Sequence, residues 1–253
     1  YVLGVSSGAR LGVALVVLGF SPKLMVTVLP GLGNWVLVIA AWIGAAAVLI
    51  LIFLIASKVR EIMTILIIGI MLASGISAIV TILQYFSNES MLKAYVVWTM
   101  GSLGNLSGGQ LGILAISVSL GLFLSIFTIK MLNALLLGET YASSLGLNIK
   151  KSRILIFLCT SILAGSVTAF CGPIGFIGIA VPHIVRNIFR TSDHKVLIPG
   201  VILTGASIML MSDIISQLPG SDKVLPVNSV TSLIGIPVVI WVILKNRKGT
   251  AVF

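Results

Sequence analysis

Eight apolar segments, divided by short polar connections, leave this chain no water-soluble fold to adopt. They run over residues 7–20, 35–56, 62–86, 111–129, 154–171, 176–189, 197–215 and 227–244. Each is close to the roughly 20 residues that cross a hydrocarbon core, or is shortened by Gly and Pro. Lipid offers the backbone no hydrogen bonds, so segments of this kind are expected to be helices that satisfy their own peptide groups. The expected fold class is an all-α, polytopic membrane protein with eight transmembrane helices in a single transmembrane domain over residues 1–253. Composition agrees: 58% of residues are hydrophobic, 9% are charged, and the mean hydropathy is +1.21.

A formal charge of +10 invites comparison with nucleic-acid binders, but the placement of the cations argues against nucleic acid as a partner. With the segments read alternately inward and outward, 13 of the 16 Lys and Arg fall near cytoplasmic ends. These are Arg10, Lys58, Arg60, Lys130, Lys150, Lys151, Arg153, Arg186, Arg190, Lys195, Lys245, Arg247 and Lys248; Lys23, Lys93 and Lys223 fall outside. That asymmetry is the positive-inside pattern. Cys159 and Cys171, 12 residues apart on one expected helix, are separated by about 18 Å and lie beyond disulfide reach. Both read as small packing residues. No cleavable signal peptide is recognised before the first apolar segment.

Local features refine the picture. Gly4, Gly8 and Gly12 share one face of the first segment and suit close helix packing, since association in lipid depends on contact. A phosphate-cradling loop is the alternative, without a preceding strand or a following Lys-Ser/Thr. The third segment carries Gly69, Ala73, Ser74, Gly75, Ser77 and Ala78, which suit either a translocation path or tight packing. Residues 95–100 are too short to span and are expected to form a half-helix buried against protein. Pro182 interrupts the sixth segment, with His183 directly after it. His183 reads as a packing partner before it reads as a metal ligand, because no Cys, His or Asp cluster has ligand spacing; no cofactor is expected.

The longest polar interruption is residues 130–153, KMLNALLLGETYASSLGLNIKKSR. Residues 139–145 read as a short helix stopped by Gly146. Cations on both sides place it in the cytoplasm, where a short amphipathic helix is either a docking knob or a solvated connector. All six acids (Glu61, Glu89, Glu139, Asp193, Asp213, Asp222) fall in loops or near segment ends. Ion-coupled transporters keep an ionisable group at mid-depth, and no phosphate-binding loop is present for nucleotide hydrolysis. The chain is therefore expected not to be an enzyme, and a transport role would require an energised partner.

Residues 130–153, the block GPIGFIGIAVPHIVR at 172–186 with Asp193-His194 beyond it, and LGVSSGA at 3–9 together resemble the FecCD-like permease subunits of type II ABC importers. That family takes up iron-siderophore chelates, haem and cobalamin. The resemblance covers essentially the whole chain and implies ten spans, of which two would precede Tyr1. It implies a homodimer or a pair of paralogues in the bacterial inner membrane. Two cytoplasmic ATPase subunits and an extracytoplasmic substrate-binding protein complete the implied assembly. Leu137, Gly138, Glu139, Ala142, Leu145 and Gly146 match the ATPase-coupling motif. Gly172, Pro173, Gly175, Gly178, Pro182, His183 and Arg186 match the second block, assigned to structure and cytoplasmic contact. The implied gate lies at Ile62, Met63 and Thr64, and binding-protein docking at Gln217 and Lys223.

Four positions depart from the pattern. Gln217 stands where the family often has a cation, Val224 where it often has an acid, and Ile62 and Met63 where small hydroxyl residues are common. The implied function is a permease forming the path for an iron chelate, siderophore or haem. Cobalamin is the alternative cargo. A non-transporting membrane scaffold and a secondary transporter are the readings from other classes.

Overall fold

A computed structural model describes residues 4–19, 33–56, 62–104, 106–217 and 224–249. Ten helices and no strand occur among them. In order they are α1 (Val5–Gly19), α2 (Gly33–Ala56), α3 (Ile62–Tyr85), α4 (Glu89–Thr99) and α5 (Gly108–Leu135). Then come α6 (Glu139–Ser144), α7 (Ile149–Cys171), α8 (Ile177–Phe189), α9 (His194–Ser216) and α10 (Val227–Gly249). Five of them are long and apolar enough to cross a membrane, and Ser6–Gly19, Ile177–Phe189 and Val227–Trp241 are shorter apolar helices. These eight coincide with the eight apolar segments of the sequence. The 24 residues of α2 extend about 36 Å at the helical rise, more than the hydrocarbon thickness. Large apolar side chains point outward from the long helices, with Met71, Leu203 and Leu233 at 67%, 71% and 74% exposure. Such faces suit lipid or protein rather than water.

Helix boundaries differ from hydropathy boundaries in a consistent direction. Helix α5 starts at Gly108 instead of 111 and continues to Leu135, six residues past the expected end. Helix α7 starts at Ile149 instead of 154, so Lys150, Lys151 and Arg153 belong to its first turns. Lys and Arg are good helix formers; hydropathy marks where a chain can enter lipid, not where its helix ends. The α5 start has a clear local cause. The Ser107 Oγ accepts from the Gln110 backbone N–H (3.4 Å), while the Gln110 Oε1 accepts from the Ser107 N–H (3.0 Å). This reciprocal pair is a capping box. The expected half-helix is longer too: α4 occupies 11 residues and takes in Glu89 and Lys93, whose i,i+4 spacing suits a helix.

The chain divides into two compact units. The first contains residues 1–99, 104–128 and 150–173. Its core is Ala9, Val13, Val38, Ala41, Ala45, Leu49 and Ala169, with a second cluster around Ala14, Val48, Ile76, Val80 and Tyr95. The glycine face of α1 packs on α2: Gly8 lies against the Gly44 carbonyl, and Gly12 against that of Ala40. Close packing is thus the use this face is put to. Indole N–H groups pin neighbouring elements, Trp42 donating to the Ser166 Oγ and Trp98 to the Ala169 carbonyl, both at 2.9 Å. Cys159 and Cys171 are free and buried, and the Cys159 thiol donates to the Gly121 carbonyl.

The second unit contains residues 100–103, 129–149 and 174–253. Val181, Val185 and Leu197 form its core, joined by Ile177, Val201 and Ile208. Gly200 admits Val185 and Phe189, and Gly235 admits Phe176.

Candidate functional site: a capped short helix and the clip at its root

After α5, the chain tightens through three successive i→i−4 and i→i−3 bonds from Leu136, Leu137 and Gly138. Gly138 then takes φ +96°, ψ 152°, a conformation essentially confined to glycine. The turn starts α6, whose first bond runs from the Ala142 N–H to the Gly138 carbonyl (2.9 Å). The helix ends in a second glycine, Gly146 at φ +85°. Gly146 N–H donates to the Ser143 carbonyl (2.9 Å) and Leu147 N–H to that of Ala142 (3.1 Å). These two bonds make a Schellman motif. The helix is one residue shorter than the expected 139–145, and Gly146 is its stop as the sequence indicates. Gly138 and Gly146 are therefore conformational requirements.

Ala142 is fully buried, while Leu137, Tyr141 and Leu145 are 64%, 53% and 62% exposed. Tyr141 and Leu145 stand four residues apart and share one side of the helix, while Leu137 precedes the Gly138 turn. A short helix held by a buried alanine thus leaves large apolar side chains exposed.

The root of the segment is fixed by a residue that sequence reasoning did not single out. The Asn133 Nδ2, on the last turn of α5, donates to the Asp193 Oδ1 at 2.6 Å. Its Oδ1 accepts from the His194 backbone N–H (2.9 Å) and lies 2.7 Å from the His194 Nδ1. An amide oxygen can only accept, so this geometry assigns a proton to Nδ1. Asp193 is also the N-cap of α9 and accepts from the Lys195 N–H (2.9 Å). The end of α5 and the α8–α9 turn thus share one polar clip. The partners lie 60 and 61 positions apart, so no local pattern could have shown it.

The Lys195 N–H and then the Asn133 amide hold the Asp193 carboxyl below the usual carboxylate range. Because the folded value is depressed, the contribution is complete above the unfolded value and is lost as pH falls through the folded one. The clip is therefore expected to be intact at neutral pH and to open only in acid. Asn133→Leu should shift that opening to higher pH, read as earlier loss of amide-exchange protection at Val196 and Leu197, whose N–H groups bond the Asp193 carbonyl. Identical acid profiles for the two proteins would show that the clip does not secure this turn.

The second motif block lies at the start of α8. Gly172 takes φ +76°, Gly172, Pro173 and Gly175 are buried, and the Gly175 N–H donates to the Asn228 Oδ1 (3.0 Å). Phe176 adopts φ +63°, a costly conformation for a non-glycine residue. Gly178 is exposed, Pro182 is half-buried inside α8, and His183 and Arg186 are exposed. The block thus joins a structural beginning to an exposed basic end. Among the described residues no group of three His, Cys, Asp or Glu could hold a metal.

The remaining expected sites are only partly described. Ile62 and Met63 begin α3, but their side chains lie outside the described residues, while Thr64 is half-buried. Gln217 caps α9, and its Nε2 donates to the Asp213 Oδ2 at 2.9 Å. Lys223 lies outside the described residues; Val224, one of the departures, is 68% exposed.

Arg10 corrects the sequence reading. Expected at a cytoplasmic helix end, it instead shares a pocket with Ser6, Ser7, Ile70, Ala73, Ser74 and Ser77, against the middle of α3. Gly4, just before the described start of α1, lies beside Gly69 and Ala73 and not at the level where α3 begins.

Comparison with known proteins follows the same outline. A model of the FecCD transport family matches residues 1–245. The chain is 33% identical to the hemin transport system permease protein HmuU of Yersinia pestis, over 97% of this chain and 72% of that protein. It is 35% identical to the vitamin B12 import system permease protein BtuC of Citrobacter koseri, again over 97% and 72%. A metal-chelate type ABC transporter solved in an inward-facing conformation superposes with a TM-score of 0.81 at 30% identity, covering 97% of this chain and 75% of that one.

Proposed function

The chain belongs to the FecCD transport family as the permease of a type II ABC importer, and from that premise we propose that it conducts an iron chelate, a siderophore complex or haem. Permeases of this class work in the membrane with ATPase subunits and a substrate-binding protein. In the proposed assembly two copies pair in the bacterial inner membrane, and Ile62, Met63 and Thr64 contribute to the gate between them. Gln217 and Lys223 belong to the face that meets the binding protein. Hydrolysis takes place in the partner subunits, and Leu137, Gly138, Glu139, Ala142, Leu145 and Gly146 receive its stroke.

The observation that carries the coupling role is the exposed apolar pair Tyr141 and Leu145 on a helix bounded by two obligatory glycines, with Leu137 exposed just before the first of them. An exposed apolar pair gains from burial in a partner groove, and the short capped helix moves as one body when that groove moves. The Asn133 clip would pass the movement into the turn between α8 and α9.

The iron-chelate reading draws on the likeness to a hemin permease and to a metal-chelate type transporter. Cobalamin is kept as the second reading because the similarity to the vitamin B12 permease is of the same size. Proteoliposomes holding the permease with its ATPase and binding protein are expected to accumulate a labelled ferric chelate or haemin in an ATP-dependent way. Accumulation of cobalamin with neither iron compound would overturn the cargo assignment.

A further inference from the structure

The pocket around Arg10 has a composition that lipid does not tolerate. Its volume is about 350 Å³, and Ser6, Ser7, Arg10, Ser74 and Ser77 line it, with Ile70 and Ala73. Ser74 stands 12 residues from Ile62 and 11 from Tyr85, so roughly 17 Å of helix separates it from either end of α3. A guanidinium at that depth is costly and is retained facing a bundle interior or a water-filled cavity. Arg10 donates one hydrogen bond, from Nη2 to the Ser7 Oγ at 3.1 Å. Among the described residues no carboxylate is paired with it. Ser74 donates its hydroxyl hydrogen to the Ile70 carbonyl (3.0 Å), which leaves its oxygen lone pairs free to accept. Ser74 and Ser77 are exposed in the chain by itself, whereas Ser6 and Ser7 are buried.

We infer that this pocket opens on the cargo path and binds an oxyanion, a carboxylate or its equivalent, carried by the transported chelate. The guanidinium fork offers donors in the geometry that a carboxylate accepts, and the serine hydroxyls surround it. Lipid phosphates lie at the interface, roughly 15 Å from the bilayer midplane, so the cargo and not a headgroup supplies the anion. A cation at mid-path favours anionic chelates over neutral or cationic ones. Binding is shallow, because one charge and a few hydroxyls hold an anion without trapping it.

The inference rests on the importer reading, and its test does not depend on that reading. Ser74→Cys places a thiol beside Arg10, and the native Cys159 and Cys171 are buried and give little background. The full chain, assembled with its ATPase in nanodiscs, is treated with a sulfonate-bearing and with a trimethylammonium-bearing methanethiosulfonate. The anionic reagent is expected to react faster by about tenfold or more, because one fixed cation a few Å away attracts one reagent and repels the other. Millimolar citrate should slow the reaction, an equal concentration of sorbitol should not, and Arg10→Lys should keep most of the ratio. In Arg10→Gln the ratio should fall close to one. Failure of both reagents to react, a ratio near one with Arg10 in place, or a ratio that survives Arg10→Gln would each overturn the inference. Failure of the importer reading would show elsewhere, as an absence of cargo-stimulated ATP hydrolysis in the unmodified complex.

Discussion

Replacing Leu145 with Asp is expected to leave the permease folded and to uncouple it from ATP hydrolysis. Leu145 is 62% exposed and caps α6, so its side chain contributes little to the fold of the chain itself. In the proposed coupling role its value lies in the groove of a partner subunit. A carboxylate forced into an apolar groove loses hydration that nothing repays, and truncation of a central interface anchor typically costs 2 kcal/mol or more, about 30-fold in affinity. Transport-linked ATPase activity should therefore fall by about 30-fold, with the melting temperature unchanged, and Leu145→Met should retain most of it. Unaltered, cargo-stimulated hydrolysis in Leu145→Asp would remove α6 from the coupling pathway.

The second large effect is expected from Gly8→Leu. A Cβ on Gly8 would meet the Gly44 carbonyl, and would lie 2.7 Å from the Val48 Cγ2. The first obstacle is backbone, which cannot rotate away. Overpacking a tight core costs about 1–3 kcal/mol when side chains can adjust; here two helices must separate, so the loss should exceed that range. The face is internal to the chain, so failure should appear as low yield and early melting of the permease itself, before any question of pairing. Gly112→Ala is the matched control, since nothing lies within 4 Å of its Cβ position and alanine is the better helix former. Equal melting of Gly8→Leu and Gly112→Ala would mean that the α1–α2 contact is dispensable.

The membrane class, the eight apolar helices and the short helix α6 were legible in the sequence because each depends on local information. A run of about 20 apolar residues has few other fates, and Gly146 closes α6 through bonds that span only six residues. Asn133 was not legible, because its value comes from Asp193 and His194 on another helix. The depth of Arg10 was lost for a different reason. Reading spans alternately places a residue by its distance along the chain, whereas Arg10 takes its place from its packing against the middle of α3. The capping box at Ser107 and Gln110 could have been found; its two intervening glycines disguised a helix start as a flexible turn.

The arginine borne by α1 also has a consequence for biogenesis. An arginine near the centre of a membrane segment adds a penalty of about 2.5–3.5 kcal/mol on insertion scales. On those terms α1 is a poor substrate for the insertion machinery by itself. Helix α2 is the opposite, an uncharged stretch of 24 residues. Since Gly8 and Gly12 seat α1 directly on α2, the later helix is the natural chaperone of the earlier one. The pair would enter the bilayer as a hairpin, with α1 waiting at the translocon until its partner has been synthesised.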